Sequence, residues 1–587
     1  MSRKKPVSRK TQGRAGAVVL LALVVLSALP FLQTLHFQLV WDDPLLLGEV
    51  GRVAGPGGVP ALFASDFRLA SDRPLGYYRP LTTTSLWLQI RDVWRTHGAD
   101  VPPATARALH ALNLVLHMLC TVLVWLIIRR WVHDPWVAGL GAALFAVHPV
   151  HVEPVAFVSA RTDLLAAVFV LGSLVCWMDA GSSVGRRRVV AIAAGLVLAL
   201  AGPLAKEQAL LLPVVLLAWS FLLPEGKQAG TRRTRLVLSA LWVLPVAIAL
   251  ALRARVMSSQ PEPGFGFEAA SFFHTGLPAL LLYVKLWILP WPLNGYYTVD
   301  ALAVRLPVVM GFAAIILLIV VAVRGGRSRE TMASLCVFLV FLLPVLRLLP
   351  LGGAVAAERF LYLPSAGLAL ITSLALVTFE RSRSSRITSR GVIGAAIVVC
   401  MLLSVRGVRP WASDASLYAH MVRVSPRAAP AHRGLAQVYT VAKRYPEAAR
   451  ECRQAIQLDP GFADAYELLG VVSARQADYA TAHQAFDAAL RLAPNRATIH
   501  SNLGVLAANE GKLDEAVRCF RRAAELAPGF ADAHYKLGFA LLVSGDVEGA
   551  RKEAAILDRL DPSQANALRQ RIAQQAASGQ PEGAPRP

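Results

Sequence analysis

The stretch PGFADAYELLGVVSARQADYATAHQAFDAALRLAP, residues 460–494, decides how the last third of the chain folds. It starts and stops on proline, and proline also stands at 426, 528 and 562, a spacing of 34 residues at every step. Other positions keep the same beat. Leu469-Gly470, Leu503-Gly504 and Leu537-Gly538 recur in register, with Leu435-Ala436 as an earlier copy. Ala448, Ala482, Ala516 and Ala550 fill one small-residue position, and Ala455, Ala489 and Ala523 a second. Small side chains let two antiparallel helices approach, and a proline ends each unit because it cannot continue a helix.

This period and pattern are those of tetratricopeptide repeats. The array runs from about Pro430 to Asn566, after a partial unit over 412–425. Such an array buries its own core and leaves a concave face for a peptide or protein. The final ten residues, Ser578 to Pro587, are Gly, Pro and polar residues, and we expect them to be disordered.

Upstream the composition changes. Over the whole 587-residue chain apolar residues make up 55% and charged residues 17%, which excludes an ordinary soluble protein. Apolar runs near the length of a bilayer crossing repeat from residue 15 onward. The first, Ala15 to Leu35, is too long for the core of a signal peptide and reads as a retained span. The net charge of +22 comes in short clusters between apolar runs, which is membrane topology rather than a nucleic-acid surface. The six cysteines show no CxxC spacing, so neither a zinc site nor a disulfide framework is implied.

Basic clusters orient the spans. Arg3, Lys4, Lys5, Arg9, Lys10 and Arg14 place the N-terminus in the cytoplasm, and Arg129-Arg130, Arg186 to Arg188, Lys227 with Arg232, Arg324 with Arg327, and Arg381 to Arg390 mark inner loops. The Pro261-Glu262-Pro263-Gly264 segment then lies outside, and the Pro-interrupted segment 271–291 reads as re-entrant. We count about eleven spans, which places the C-terminus outside. The predicted fold is all-α: a polytopic membrane helix bundle followed by a tetratricopeptide-repeat α-solenoid. Its parts are a cytoplasmic basic tail (1–14), a transmembrane domain (15–407), a repeat domain (408–577) and a disordered tail (578–587).

Arg and Lys clusters alone set this topology, yet the unusual polar motifs gather at its outer ends. They are Trp41-Asp42-Asp43, Tyr77-Tyr78-Arg79-Pro80, His148-Pro149-Val150-His151-Val152-Glu153, Arg161 with Asp163, Lys206-Glu207 and Glu358-Arg359. Adjacent carboxylates at a membrane edge repel each other and are functional candidates. A transferase on that side, where nucleotide sugars are absent, needs a base for the acceptor hydroxyl and cations for a leaving lipid phosphate. Asp42 and Asp43 suit the first role; Arg79, Arg161, Lys206 and Arg359 suit the second. Plainer accounts exist for each motif: an Arg161–Asp163 pair at a helix end, a snorkelling Lys206, a Glu358–Arg359 pair, and interfacial Tyr77 and Tyr78. His148, His151 and Glu153 read as structural or substrate-contacting rather than metal ligands, because Pro149 and Pro154 bracket them and no further ligand cluster is evident.

Taken in order, these motifs, with Ala160-Arg161-Thr162-Asp163-Leu164-Leu165 and Ala357-Glu358-Arg359-Phe360-Leu361-Tyr362, resemble the transmembrane and tetratricopeptide-repeat O-mannosyltransferases and their bacterial relatives. The resemblance covers nearly the whole chain, with a shorter repeat array than in the animal members. It implies a GT-C-type inverting glycosyltransferase that moves a hexose such as mannose from a polyprenyl-phosphate donor to a protein or glycan acceptor. Asp42 and Asp43 are then the catalytic or acceptor-binding carboxylates. Arg79, Arg161, Lys206, Arg359, His148, His151, Glu153, Tyr78, Asp163, Glu207 and Glu358 line the donor-phosphate and substrate site. No cofactor is required by this reading and a divalent metal is left open. The partners are a membrane lipid-linked sugar and an acceptor held by the repeat groove, and the setting is a bacterial inner membrane with the repeats outside. Two other readings stay open: a non-catalytic membrane scaffold for envelope proteins, and a lipid-linked oligosaccharide ligase or polymerase.

Overall fold

The computed structural model describes residues 9–65, 77–97, 101–226, 230–257, 276–295, 297, 306–346, 356–380 and 383–578. The start of the basic tail, Lys227, the Pro261-Gly264 segment and the last nine residues lie outside the described residues. The described secondary structure is helical, with no strand beyond isolated bridge residues. The chain forms two compact units, one ending at Ser425 and one beginning at Pro426.

Among the described residues of the first unit, six helices are long and apolar enough to cross a membrane: Arg14–His36, Pro103–Trp131, Val158–Ser182, Gly185–Ala205, Arg232–Met257 and Ser384–Ala412. The bent pair Pro135–Val147 and Pro149–Ala156 makes up to seven. The other expected spans are shorter helices, among them Glu207–Leu222, Ser328–Leu342 and Ser365–Phe379. Lys206-Glu207 separates the helix Gly185–Ala205 from the shorter helix that follows, and Pro149 opens the second half of the bent pair. The segment read as re-entrant contains Leu277–Ile288, whose 12 residues reach about 18 Å against a hydrocarbon core of about 30 Å.

Val158–Ser182 is the most enclosed span, 67% buried, while Arg14–His36 and Ser384–Ala412 are 28% buried and present apolar faces outward, as lipid-facing helices do. Polar side chains gather near the helix ends. At one end Arg130 binds Asp179, and Arg390 binds both Asp134 and Glu380. The opposite end carries the motifs singled out above.

The second unit is a stack of helix pairs: Ala429–Val441 with Tyr445–Leu458, Ala463–Arg475 with Tyr479–Leu492, Ala497–Asn509 with Leu513–Leu526, and Ala531–Val543 with Val547–Leu560. Pro562–Ser578 closes it. The repeated Leu-Gly has a steric cause. A Cβ on Gly470 would lie 2.6 Å from the Phe486 ring, and one on Gly504 would lie 2.6 Å from Phe520. Sixteen residues after Ala436 the large ring is replaced by Cys452, and both residues share one buried cluster. In the last repeat Ala554 stands there, and Leu568 of the closing helix faces Gly538 instead.

Candidate active site

Asp42 and Asp43 follow the first span and open the helix Asp43–Ala54. They are adjacent in sequence and differ in surroundings. Asp43 is fully buried. Its Oδ1 accepts from the Ser159 amide at 2.7 Å and the Ser159 hydroxyl at 2.6 Å, and its Oδ2 from the amides of Val40 and Val158 at 3.3 and 3.4 Å. Burial pushes its carboxyl up to about 7, against the lowering effect of the Ser159 hydrogen bonds. Asp42 is half-buried and does not cap the helix. Burial raises its pKa above the ordinary value, the Arg359 cation lowers it, and the Asp414 carboxylate raises it.

Arg359 sits on a buried anion. Its backbone amide donates to Glu153 Oε2 at 3.0 Å, and its guanidinium donates to Oε1 of the same carboxylate. Glu153 is wholly buried, while the Arg359 side chain keeps 22% of its surface. Lys206 is paired with Asp163 in the same manner, and its ammonium lies 5.0 Å from the Phe360 ring. Arg79 forms a fork on Glu207, with Nη2 to Oε2 at 2.9 Å, and lies 4.1 Å over the Tyr77 ring. Arg253 reaches the other oxygen of Glu207 at 3.3 Å. The pairs are neighbours of one another: Arg359 feels Glu153, Asp163 and Asp42, and Lys206 feels Asp163, Arg79 and Arg359.

The arrangement therefore has a consistent grain. Buried carboxylates (Glu153, Asp163, Glu207) anchor cations, and the cations Arg79, Arg253 and Arg359 retain 21 to 24% of their surface. Anchoring a guanidinium from behind fixes its open edge, which preorganises it for an anion. Beside Arg79 lies a small pocket of ≈ 10 Å³, about the room of one water, lined by Val50, Val53, Leu62, Ser65, Pro80 and Thr83. The wall is mostly apolar, with one charged side chain.

The plainer pairings read from sequence are corrected by the fold. Asp163 takes Lys206 rather than Arg161, Glu207 takes Arg79 and Arg253, and Arg359 takes Glu153 rather than its neighbour Glu358. Pairs adjacent in sequence lose to pairs across helix ends because neighbouring side chains point in different directions. Arg161 is wholly buried, and all of its nitrogens are engaged, with Asn113, Gln89 and the carbonyls of Ser85 and Leu109. Glu358 accepts from the Asn294 amide at 2.6 Å and the Tyr297 hydroxyl at 2.7 Å; burial, then Glu153, pushes its carboxyl up to about 8.

His148 stacks on Trp287 at 4.2 Å and bonds its carbonyl, while His151 bonds Ser365 within a ring cluster of Phe145, His117 and Tyr362. Both histidines belong to the packed interior, and Tyr78 is buried there too, its hydroxyl donating to the Phe63 carbonyl. Among the described residues no group of three or more His, Cys, Asp or Glu is arranged to hold a metal ion. The sequence reading missed Arg253 and Asp414. The signal for Arg253 was present, an arginine inside a long apolar helix; Asp414 had none.

The fold defines a class: a multi-pass helical membrane protein with a C-terminal tetratricopeptide array. Models of the tetratricopeptide repeat match residues 415–463 and 451–497, and a TPR repeat model matches 507–545. The resemblance read from the motifs is borne out by relatives named protein O-mannosyl-transferase. F38B6.6 of Caenorhabditis elegans is 26% identical over 485 residues, 78% of this chain and 65% of that protein. Tmtc2 of Drosophila melanogaster is 30% identical over 226 residues, 36% and 23% of the two chains. TMTC3 of Mus musculus is 23% identical over 486 residues, 76% and 52% of the two. The match thus spans less than two thirds of each of these relatives. Among solved structures, YrrB, a TPR protein with an unusual peptide-binding site, is 23% identical with a TM-score of 0.23, covering 34% of this chain and 97% of its own. A thermophilic TPR protein of Thermus thermophilus is 20% identical with a TM-score of 0.26, covering 30% and 94%.

Proposed function

We propose that the chain is a membrane glycosyltransferase of the GT-C type that moves a hexose, mannose by analogy with its named relatives, from a polyprenyl-phosphate donor to a protein hydroxyl. The reaction takes place on the extracytoplasmic face, in a bacterial inner membrane, with the repeats on the same side to hold the acceptor chain. The observation that supports this reading is the cluster itself: a half-buried carboxylate, Asp42, under the influence of Arg359, and two partly open cations, Arg79 and Arg359, each backed by a buried anion.

In this mechanism Asp42 takes the proton from the acceptor hydroxyl as its oxygen attacks the anomeric carbon. The bond from that carbon to the phosphate oxygen breaks with inversion, and the polyprenyl phosphate leaves with the bonding electron pair. Arg79 and Arg253, both held on Glu207, with Arg359 and Lys206 beside them, take up the charge growing on the phosphate. Asp43 serves the loop rather than the chemistry, because its four hydrogen bonds leave it no open edge.

The test is direct. Purified protein is incubated with a radiolabelled polyprenyl-phosphate hexose and membrane extract, and the labelled product is identified. Label on protein, lost in Asp42→Asn, is expected. Absence of label with every donor tried, or full transfer by Asp42→Asn, removes the reading.

A further inference from the structure

Asp42 is held through its neighbours. On one side Asp43 is locked to Val40, Val158 and Ser159. On the other side Trp41 has φ 58°, the left-handed region that a bulky L-residue pays about 1–2 kcal/mol to enter. Something must hold it there. The Trp41 ring stacks on Phe157 at 5.6 Å and tilts against Trp411 at 6.2 Å, and its backbone amide donates to Asp414 Oδ1 at 2.7 Å. Close by, the Gln38 amide donates to the Ala412 carbonyl at 3.1 Å. Gly295 leaves room for this packing, since a Cβ there would lie 3.2 Å from the Trp41 ring and 2.5 Å from Met421.

Asp414 is itself fixed. It opens the helix Asp414–Val424, which Ser413 and Ser416 begin with a reciprocal capping box, and a carboxylate in the first turn suits the helix dipole. The same helix holds the other side of the site. His420 bonds the Leu293 carbonyl at 3.0 Å, and Asn294 bonds the Ser425 hydroxyl at 2.6 Å. The Asn294 amide in turn fixes Glu358, the residue before Arg359. One short helix thus ties down both Trp41-Asp42 and Glu358-Arg359. The tetratricopeptide model begins to match at residue 415, yet this helix is part of the first compact unit.

We propose that Asp414 is a positioning residue, holding the Trp41 peptide so that the Asp42 carboxylate faces Arg359. This rests on the reading of Asp42 as the base, and extends it to a residue beyond the last span. The charged groups that face Asp42 are Arg359 and Asp414, with Asp43 beside it in the chain and Glu153 and Asp163 behind Arg359. The Asp414 charge raises the pKa of Asp42, so removing it moves the titration of Asp42 toward acid.

The experiment uses the full-length protein in detergent, with Asp414→Asn and Asp414→Ala. The first keeps an acceptor oxygen for the Trp41 amide and drops the charge; the second drops both. Asp42 is titrated by pH-dependent carbodiimide coupling read by peptide mass spectrometry, which needs no activity. For Asp414→Asn the midpoint is expected to fall by at least about 0.3 pH unit, with the acid limb of the pH–rate profile moving the same way. For Asp414→Ala kcat is expected to fall about tenfold or more, with the donor KM within about twofold of wild type. An Asp42 coupling curve unchanged in both variants, or an unchanged kcat in Asp414→Ala, overturns the proposal. Should Asp414→Ala fail to fold, Asp414→Ser, whose shorter side chain draws the acceptor back from the Trp41 amide, takes its place with the same readouts. Wild-type protein that transfers no sugar removes the glycosyltransfer reading, and the difference between the Asp414→Asn and Asp414→Ala coupling curves, which share the loss of charge, still decides the positioning.

Discussion

Asp42 and Asp43 are identical and adjacent, and the structure predicts opposite outcomes for their removal. Asp43→Ala removes the acceptor of four donors: the amide and hydroxyl of the half-buried Ser159 at 2.7 and 2.6 Å, and the longer contacts from the buried Val40 and Val158. A buried donor left without a partner costs roughly 1–3 kcal/mol. Counting the two short bonds fully and the long ones weakly, the loss is about 3–5 kcal/mol, a large share of a typical folding free energy. Asp42 is half-buried and does not cap its helix, so Asp42→Asn should change stability by less than about 1 kcal/mol. Its effect falls on transfer, which drops about 100- to 10,000-fold if a base is lost. Thermal unfolding by intrinsic fluorescence, run beside the donor-transfer assay on monodisperse protein, separates the two. The pH dependence adds a check. The Asp43 carboxyl is held at about 7, against an ordinary 3.8. The stability this group contributes is fully present below the unfolded pKa and lost as pH rises through about 7. The slope should vanish in Asp43→Asn. A stable Asp43→Ala beside an unfolded Asp42→Asn would refute the assignment of roles.

Arg79→Ala should raise the donor KM about 10- to 100-fold, and Arg79→Lys should recover only part of it, because an ammonium cannot reproduce the fork that Arg79 makes on Glu207; equal KM values in all three proteins would exclude Arg79 from the phosphate site. In the repeats, Gly470→Ala should cost about 1–3 kcal/mol, since its Cβ meets a Phe486 ring that is 1% exposed. Adding Phe486→Cys should restore most of this, as Ala436 with Cys452 already does one repeat earlier; additive losses in proteolytic protection of the full-length protein would rule out the steric cause. His534 donates at Nδ1 to Glu553 at 2.7 Å and at Nε2 to the Pro528 carbonyl at 3.2 Å, so both nitrogens carry protons, and the Glu553 bond raises its pKa above 6.5. That contribution is present below 6.5 and lost as pH rises through the raised value; hydrogen exchange around Ala531–Val543 that stays flat from pH 6 to 8 would refute it.

The repeats were legible from one chain because every unit solves the same packing problem. The spacing of 34 between prolines, the recurring Leu-Gly and the recurring Ala each report a local contact between two helices adjacent in sequence. The membrane body was legible as apolar runs and basic clusters, since lipid demands both. The polar motifs stood out as a set, because polar residues at the ends of apolar runs are conspicuous. The span count was less so, because several expected crossings, Glu207–Leu222 and Ser365–Phe379 among them, are helices shorter than a full crossing.

What pairs with what came only from the tertiary structure. In the sequence Arg161 stands two residues from Asp163, and Glu358 stands beside Arg359, and both neighbourly pairings give way to distant partners. Glu153 meets Arg359 across 206 residues, and Arg79 meets Glu207 across 128. Likewise, Asp42 and Asp43 are equivalent as letters and differ only because Ser159 and Val158 come to enclose one of them. Periodicity and hydropathy record what a residue needs from its own helix and from its solvent, so the chain states them openly. A charge deep among helix ends takes its partner from whichever segment the packing brings near, and that choice exists only once the bundle has closed.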